Sequence, residues 1–599
     1  GCGASTFANM WAYKVEAFNA VPYNAALLTR QGICTTVNSD SSNTIRFMNL
    51  EAAKSLRWGN LDQTEALRLV TLNAAIQLQI DNRVGSLDIS KDGDVAIWNG
   101  HPLNAFSKCV MTLIEGEVYF ENPSGEAPPG ATALNLEVPK LRSVQKGTDH
   151  ETDVRGSAGA SPSLDNMAGL PPLPTSDYGI YAIVGATVHP VSGPAIERGT
   201  VVIMNGRIDA VGAGLAPPPK AGVIDGRGLH VYPGLIDGGG TLGLFEIGSL
   251  RATQDSSDIA RFEPDLRAYS AYNPHSVHVP IARAAGFTMA LVRPVGGTIC
   301  GQAALLQLDG WTAAEALVSE PVALFMRIPS LPIHLPEKDR EKLTKEHKKQ
   351  MQEIEDYLKR AKLYAQAVER AGENSANLPP ADLALDALIP YVRSKDPQRI
   401  FFFASDYKHI LDTLEFAQKQ GLSIGIAGGA EAWKLADNLG EKKIPVLFDS
   451  VTSYPSSDFE AFDSVYSSPG ILARAGVPLA FASGSAADVY NLPFEAGMAV
   501  AHGLPEEQAI YALTLGAAQV FGIENQYGSL DPGKAADVIV TTGSPLQPAA
   551  HVEYMFIRGR PIELDNKQRE DCLKFARRPA PDLPSGRNDL KGPTSMSGR

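Results

Sequence analysis

One stretch of this sequence occurs twice, 443 residues apart. VGSLDISKDGDVAIWNGHPL (Val84–Leu103) and YGSLDPGKAADVIVTTGSPL (Tyr527–Leu546) share the pattern GSLDxxKxxDV. The same offset, or one of 444 after a one-residue slip near Asn60, pairs further residues upstream: Thr71 with Thr514, Glu51 with Glu495, Ser39 with Ser483 and Gly32 with Gly476. A register held over this distance predicts two copies of one folding unit.

The two copies differ in extent. The second is expected at 178–566, whereas the first, at 1–122, corresponds only to the final third of the second. Pro, Gly and Ser dominate 123–177, which is typical of a linker, and the tail at 577–599 has the same composition. Because residue 1 is Gly and not Met, we expect the natural start to lie upstream.

Periodicity in the second copy predicts an α/β fold. Alternating apolar and polar residues around Asn205-Gly206 favour a small antiparallel sheet, built from 178–232 and 525–566. Between them, apolar runs such as TMALVRP, RIFFFA and VPLAFAS alternate with amphipathic stretches, as in a parallel barrel. We therefore predict a (β/α)8 TIM-like barrel at 233–524 with a small composite β-sandwich domain, plus the C-terminal part of a second such module at 1–122.

A charged stretch interrupts this alternation. Pro336–Ala371 is dense in Lys and Glu with apolar residues at helical spacing, and it predicts a long surface helix or a helical pair. A solvated structural insertion is the first interpretation, and a partner-binding helix is the alternative.

Composition excludes several classes of function. The net charge of −14 argues against nucleic acid as a partner. No window approaches the roughly 18 apolar residues of a membrane span. The five cysteines contain no CxxC and indicate neither a disulfide framework nor a thiolate zinc site. The sequence does not indicate the compartment, and it is compatible with a homo-oligomer.

Two motifs of the second copy carry a family resemblance. GLHVYPGLIDGGG (Gly228–Gly240) resembles the entry to the first barrel strand in the amidohydrolase superfamily, where PGLID precedes two metal-binding histidines in the pattern HxH. GSLDPGKAADVIV resembles the return of that superfamily to its sheet domain. The match is closest to the imidazolonepropionase and prolidase-like branch.

The resemblance implies a metal-dependent hydrolase. In the family, eight βα units place His and carboxylate ligands at the carboxyl ends of the barrel strands. They hold zinc or another divalent metal, which activates water. An Asp after strand eight accepts the proton of that water and passes it to the leaving amine.

The second copy departs from this pattern. Gly239 and Thr241 occupy the HxH positions, and neither replaces imidazole as a zinc ligand. The strands expected to carry the next histidines offer other residues in their place: Ser405 and Asp406 on one, Ala430 and Glu431 on the other. The strand-eight position holds Gly484, with Asp488 four residues later. We expect no metal in this copy, and we expect the copy from Tyr178 onward to fold without zinc.

Asp40 is the candidate catalytic residue. It aligns with Gly484 and so matches the strand-eight position of the family, which implies a role as proton shuttle and metal ligand. The alternative is a helix N-cap or turn Asp. Because the first copy lacks its first strands, it cannot supply HxH here.

Two further motifs have structural alternatives. His275 and His278 form a close pair, for which a metal role competes with structural or substrate-lining roles. PVGGTICGQ, with Gly296-Gly297 and Gly301-Gln302, lacks the Lys-Ser/Thr pair that ends a phosphate-binding P-loop, and it predicts a βα loop.

The sequence thus predicts a hydrolase of an amide or cyclic amide carbon-nitrogen bond in a small molecule or short peptide, with activity in the complete form of the first copy. A non-catalytic binding or scaffold protein is the alternative.

Overall fold

The computed structural model describes residues 2–122, 170–176, 178–331, 337–372, 377–449 and 451–577. Most of the predicted linker and all but the first residue of the predicted tail lie outside these residues. Among the described residues, no helix combines the length and apolar content that a membrane crossing requires.

The N-terminal part, residues 2–122, contains five strands and four helices. β1 and β2 form a parallel pair with α1 between them in the chain, and the other three helices and an antiparallel sheet in the order β3-β4-β5 follow. The bounds are β1 Ala4–Thr6, α1 Asn24–Arg30, β2 Thr35–Val37, α2 Met48–Arg57, α3 Gln63–Arg68, α4 Leu72–Leu78, β3 Val95–Trp98, β4 Cys109–Ile114 and β5 Glu117–Glu121.

The second sheet gathers strands from both ends of 178–566. Its path is β21-β20-β19-β10-β6-β7-β8, and β9 pairs with β6 beside β10. The turn at Asn205-Gly206 joins β7 to β8 as predicted, with φ of 53° and 78°, the left-handed conformation that Asn and Gly tolerate best. The bounds are β6 Tyr181–Val188, β7 Ile196–Met204, β8 Arg207–Ala213, β9 Gly222–Asp225, β10 His230–Pro233, β19 Val538–Thr541, β20 Val552–Ile557 and β21 Arg560–Pro561.

An eight-stranded barrel-like sheet lies between these two groups of strands. Its order follows the sequence, β11 to β18, as predicted for a barrel. The strands are β11 Leu235–Gly240, β12 Phe287–Val292, β13 Ile299–Gln307, β14 Leu317–Met326, β15 Arg399–Ala404, β16 Ser423–Gly428, β17 Val446–Phe448 and β18 Leu479–Phe481. The helices around it and after it are α5 Ala268–Ala271, α6 His278–Ala284, α7 Ala313–Ala316, α8 Glu337–Ala371, α9 Leu383–Val392, α10 Tyr407–Gln420, α11 Ala436–Glu441, α12 Ser464–Arg474, α13 Leu492–Ala501, α14 Glu506–Ala512, α15 Leu515–Phe521 and α16 Lys567–Ala576.

One strand of this sheet runs against the others. β13 is antiparallel to both β12 and β14, whereas the remaining neighbours are parallel. The prediction of a βα loop at Gly296–Gln302 is therefore wrong, because Gly296-Gly297 belong to a direct connection from β12 to β13 and Gly301-Gln302 lie within β13 itself. No helix is needed there, since antiparallel strands can be joined by a short turn.

Side chains alternate between the barrel interior and the helix layer. Met289 and Leu291 pack inside with residues such as Phe325 and Phe401, whereas Ala290 and Val292 face the helices. Both faces of β12 are fully buried, which explains why all of its residues except Thr288 are apolar.

The predicted charged stretch forms a single helix, α8 (Glu337–Ala371). Its buried residues Ile354, Leu358, Ala361 and Ala365 follow helical spacing and make one apolar stripe, while most of its charged side chains are exposed.

The elements of the N-terminal part recur near the end of the chain at the offset found in the sequence. α2 (Met48–Arg57) corresponds to α13 (Leu492–Ala501), and β4 (Cys109–Ile114) to β20 (Val552–Ile557). Unusual backbone angles recur as well: Thr71 and Thr514 have φ, ψ of −133°, −100° and −138°, −100°.

Candidate functional site

The barrel brings together three charged residues and one serine from four of its strands. Asp237 lies in β11, Arg293 follows β12, Asp449 follows β17 and Ser483 lies just beyond β18. In a barrel the carboxyl face is where side chains of distant strands meet.

Asp237, the Asp of PGLID, joins the two edge strands of the barrel sheet. Its Oδ1 accepts hydrogen bonds from the backbone N of Ser483 (2.9 Å) and of Gly239 (3.0 Å), and its Oδ2 accepts one from Ser483 Oγ (2.6 Å). The side chain is fully buried, and burial raises the pKa of its carboxyl, against the lowering by these three donors. A further bond runs from Gly484 N to Gly239 O (3.0 Å). Asp237 thus fastens β11 to β18.

The residues at the expected metal positions do not fit a metal centre. Gly239 and Thr241 carry no metal-binding group of the kind that zinc requires, and Gly484 has no side chain. Glu431 is occupied otherwise: it accepts the backbone N–H of Tyr407 and pairs with Lys434 at 2.9 Å. Asp406 is the N-cap of α10. Within the described ranges, no three His, Cys, Asp or Glu side chains form a group that could hold a metal ion.

The two candidate histidines have separate structural partners. His275 contacts the carbonyl of Trp311 (Nε2 to O, 3.1 Å), whereas the buried His278 contacts the carbonyl of Glu246 (2.9 Å) and packs on Trp11. Burial lowers the pKa of His278. These contacts favour the structural interpretation of the pair.

Asp40 lies three residues beyond β2, the counterpart of β18. It has a φ of 42°, in the left-handed region that Gly484 adopts at 67°, and its backbone N donates to Asn38 Oδ1 (2.9 Å). Asp tolerates this conformation better than most residues. The Asp40 side chain is exposed.

A cavity of about 410 Å³ lies between the N-terminal part and the barrel. Ser41 and Thr44, just after Asp40, line one side, and Asp449, Asp488 and Glu495 line the other. The two strand-eight regions therefore border one space.

A buried polar cluster stands at the edge of this cavity. Lys54 Nζ lies 2.7 Å from Glu51 Oε1, and Asn9 Nδ2 donates to the same oxygen at 2.8 Å. Tyr490, from the barrel side, donates to Asn9 Oδ1 (3.1 Å). The Lys54 and Glu51 side chains are only 4% and 2% exposed, so this ion pair is buried.

Glu495, the counterpart of Glu51, gives the cavity a pH-dependent group. Burial and the nearby carboxylate of Asp488 raise the pKa of Glu495 to about 8, against the opposing effect of Lys54. The folded protein keeps a proton on Glu495 that the unfolded chain releases above pH 4.5. The contribution of this carboxyl to stability is therefore fully present below pH 4.5 and is lost as the pH rises through about 8.

We expect the free energy of unfolding to fall by about 2–4 kcal/mol between pH 5 and 8 through this group alone. Glu495→Gln should remove that slope in urea titrations run at several pH values. Glu507→Gln, a change of an exposed carboxylate, should leave it in place. An unchanged slope in Glu495→Gln would show that this carboxyl is not the titrating group.

Sequence reasoning missed Arg293, Asp449 and Glu495. The available signal was position, because Arg293 and Asp449 directly follow apolar strands and so had to lie at the carboxyl face. Glu495 was paired with Glu51 by the repeat but was given no role.

Comparisons with known proteins agree with this architecture. The sequence profile described as "Amidohydrolase family" matches residues 24–118 and 315–562, which together make up more than half of the chain. A solved structure of an amidohydrolase from Thermotoga maritima MSB8 superimposes with a TM-score of 0.57 at 26% identity, covering 64% of this chain and 99% of that chain.

Two curated relatives match parts of the chain. "Adenine deaminase 3" of Rhizobium meliloti (strain 1021) is 38% identical over 94 residues, and "Amidohydrolase tasK" of Hapsidospora irregularis is 24% identical over 296 residues. These alignments cover 16% and 48% of this chain but only 14% and 28% of the relatives. With the profile matching on both sides of the linker and the barrel shared with a solved amidohydrolase, the chain belongs to the amidohydrolase family.

Proposed function

We propose that the protein hydrolyses a carbon-nitrogen bond of an amide or cyclic amide, in a small molecule or a dipeptide. The activity is assigned to a form of the first module that includes counterparts of β11 to β16, and the second module is a degenerate copy. Membership of the family supports the reaction class. The relatives named as a deaminase and as an amidohydrolase point to the same class.

The observation that carries this proposal is the difference between Asp40 and Gly484. The two residues follow equivalent strands and share a left-handed backbone, but only Asp40 has a group that can move a proton. In the proposed reaction, the carboxylate of Asp40 accepts a proton from the attacking water and delivers it to the leaving amine. We also propose that Asp40 is a ligand of the divalent metal on which this family usually relies.

The test is Asp40→Asn in a protein that includes the sequence preceding Gly1 in its reading frame. We expect its rate of amide or cyclic amide hydrolysis to fall by at least about 100-fold, because a proton shuttle contributes on that order. Asp81→Asn, at an exposed position outside the site, is the matched control. If Asp40→Asn hydrolyses at the unchanged rate and the protein takes up no divalent metal, the proposal is wrong.

A non-catalytic binding or scaffold role is the second candidate. It is favoured by the cavity between the N-terminal part and the barrel, since its walls come from both parts of the chain. A small metabolite or short peptide fits its size. Saturable binding of such a molecule, with no turnover in the longer protein, would favour this role over hydrolysis.

A further inference from the structure

Arg293 lies where the histidine side chains of a metal centre would project. A Cβ placed on Gly239, the first HxH position, would lie 3.0 Å from Arg293 Nε and 3.2 Å from its Cδ. The backbone N of Arg293 donates to Gly240 O (3.0 Å), which sets the arginine beside the end of β11. The space next to Gly239 is therefore filled by the arginine side chain.

The guanidinium also reaches toward the strand-eight position. Arg293 Nη2 lies 3.2 Å from Asp449 Oδ2, and a Cβ on Gly484 would lie 3.6 Å from the same oxygen. The cation thus stands between the two positions, 239 and 484, that supply metal ligands or the proton shuttle in the family pattern.

The guanidinium of Arg293 is buried, and within the described part of the chain two of its three nitrogens have no hydrogen-bond acceptor. Its side chain is 3% exposed, and the nitrogens without an acceptor among the described residues are Nε and Nη1. Burial lowers the pKa of the guanidinium, whereas the carboxylates of Asp449 and Asp237 raise it. The rings of Phe403 and Phe325 lie 4.5 and 5.4 Å from its Cζ and provide cation-π stabilisation.

A buried cation that costs this much desolvation is retained where it balances anionic groups. We infer that the guanidinium of Arg293 has replaced the metal ion as the cation of this barrel mouth, balancing Asp449 and excluding a divalent metal from the second module. The inference does not depend on whether the first module hydrolyses a substrate.

A double-mutant cycle in the full chain tests whether the charge of Arg293 balances that of Asp449. Arg293→Met and Asp449→Leu should each lower the urea midpoint by about 1 M, because each removes the ion pair between the two side chains. The double variant should recover at least half of that loss. Arg57→Met serves as the control, since Arg57 is buried and donates to a backbone carbonyl rather than to a carboxylate. Combined with Asp449→Leu, its effects should add.

A zinc-binding experiment tests whether Arg293 excludes a metal ion from the barrel. Gly239→His, Thr241→His and Gly484→Asp together introduce the three ligands that a zinc site needs at these positions. This triple variant should bind no zinc while Arg293 is present, and should bind zinc once Arg293→Ala is added. Zinc per chain is measured by mass spectrometry after dialysis, with circular dichroism as the check of folding. Additive losses in the first cycle, or zinc bound equally well with Arg293 in place, would overturn the inference. If the histidine variants do not fold, the double-mutant cycle of Arg293 and Asp449 alone decides whether the inference holds.

Discussion

Asp237→Ala is expected to lower the free energy of unfolding by about 3–5 kcal/mol. The substitution leaves the backbone N of Ser483 and of Gly239 without their acceptor at the junction of β11 and β18, whereas the Ser483 hydroxyl keeps the carbonyl of Ser485 as an acceptor. Buried donors without partners are costly, and here both are main-chain groups that cannot move away. Urea unfolding followed by circular dichroism gives the measurement.

Asp237→Asn is the matched control. The amide keeps the shape and one carbonyl oxygen, so it can still accept the two backbone bonds, and its NH₂ can donate to Ser483 Oγ. We expect a loss near 1 kcal/mol. Equal losses for alanine and asparagine would mean that the ionised carboxylate, rather than the hydrogen-bond geometry, holds the barrel together.

Lys54→Met is expected to cost about 3–5 kcal/mol, because it leaves Glu51 buried without its cation. The cluster of Lys54, Glu51 and Asn9 contacts Tyr490, so the loss should fall on the packing of the N-terminal part against the barrel. Scanning calorimetry should show a lower transition temperature and, if the two parts separate, an earlier unfolding step for residues 2–122.

Glu51→Leu combined with Lys54→Met tests the electrostatic origin of that loss. Replacing both members of a buried ion pair by apolar side chains is often nearly neutral, so the double variant should be more stable than Lys54→Met alone. A double variant less stable than the single one would show that the aliphatic stem of Lys54 and the packing of Glu51 matter more than their charges.

Much of the fold could be predicted from the spacing of hydrophobic residues and from turn residues. The apolar runs ending near Val292, Ala404 and Phe481 are strands, the charged stretch is one helix, and the sheet strands turn at Asn205-Gly206. These features depend on residues close in sequence, for which hydrophobic spacing and turn chemistry are informative.

The antiparallel strand β13 could not be predicted in the same way. ICGQAALLQ (Ile299–Gln307) is buried on both faces, so its pattern is that of any interior strand and carries no direction. Only the short connection from β12 distinguishes the two directions, and its glycines suit several kinds of turn.

At the barrel mouth, the sequence predicted which family residues are missing but not which residues take their place. Gly239, Thr241 and Gly484 were identified from motifs, but the pairing of Arg293 with Asp449, 156 residues apart, depends on the closure of the sheet. A residue's position at a strand end shows which face it occupies but not which side chain it meets. The cavity beside Glu495 was beyond prediction for the same reason, since its walls come from opposite ends of the chain.

The central claim is that the barrel of the second module is built around a guanidinium and needs no metal. It is tested most directly by measuring zinc in the 599-residue chain after saturation with zinc and dialysis, together with its circular dichroism before and after addition of a chelator. We predict far less than one zinc per chain and an unchanged spectrum. One zinc per chain that is retained in Asp40→Asn, with loss of secondary structure on chelation, would contradict the account.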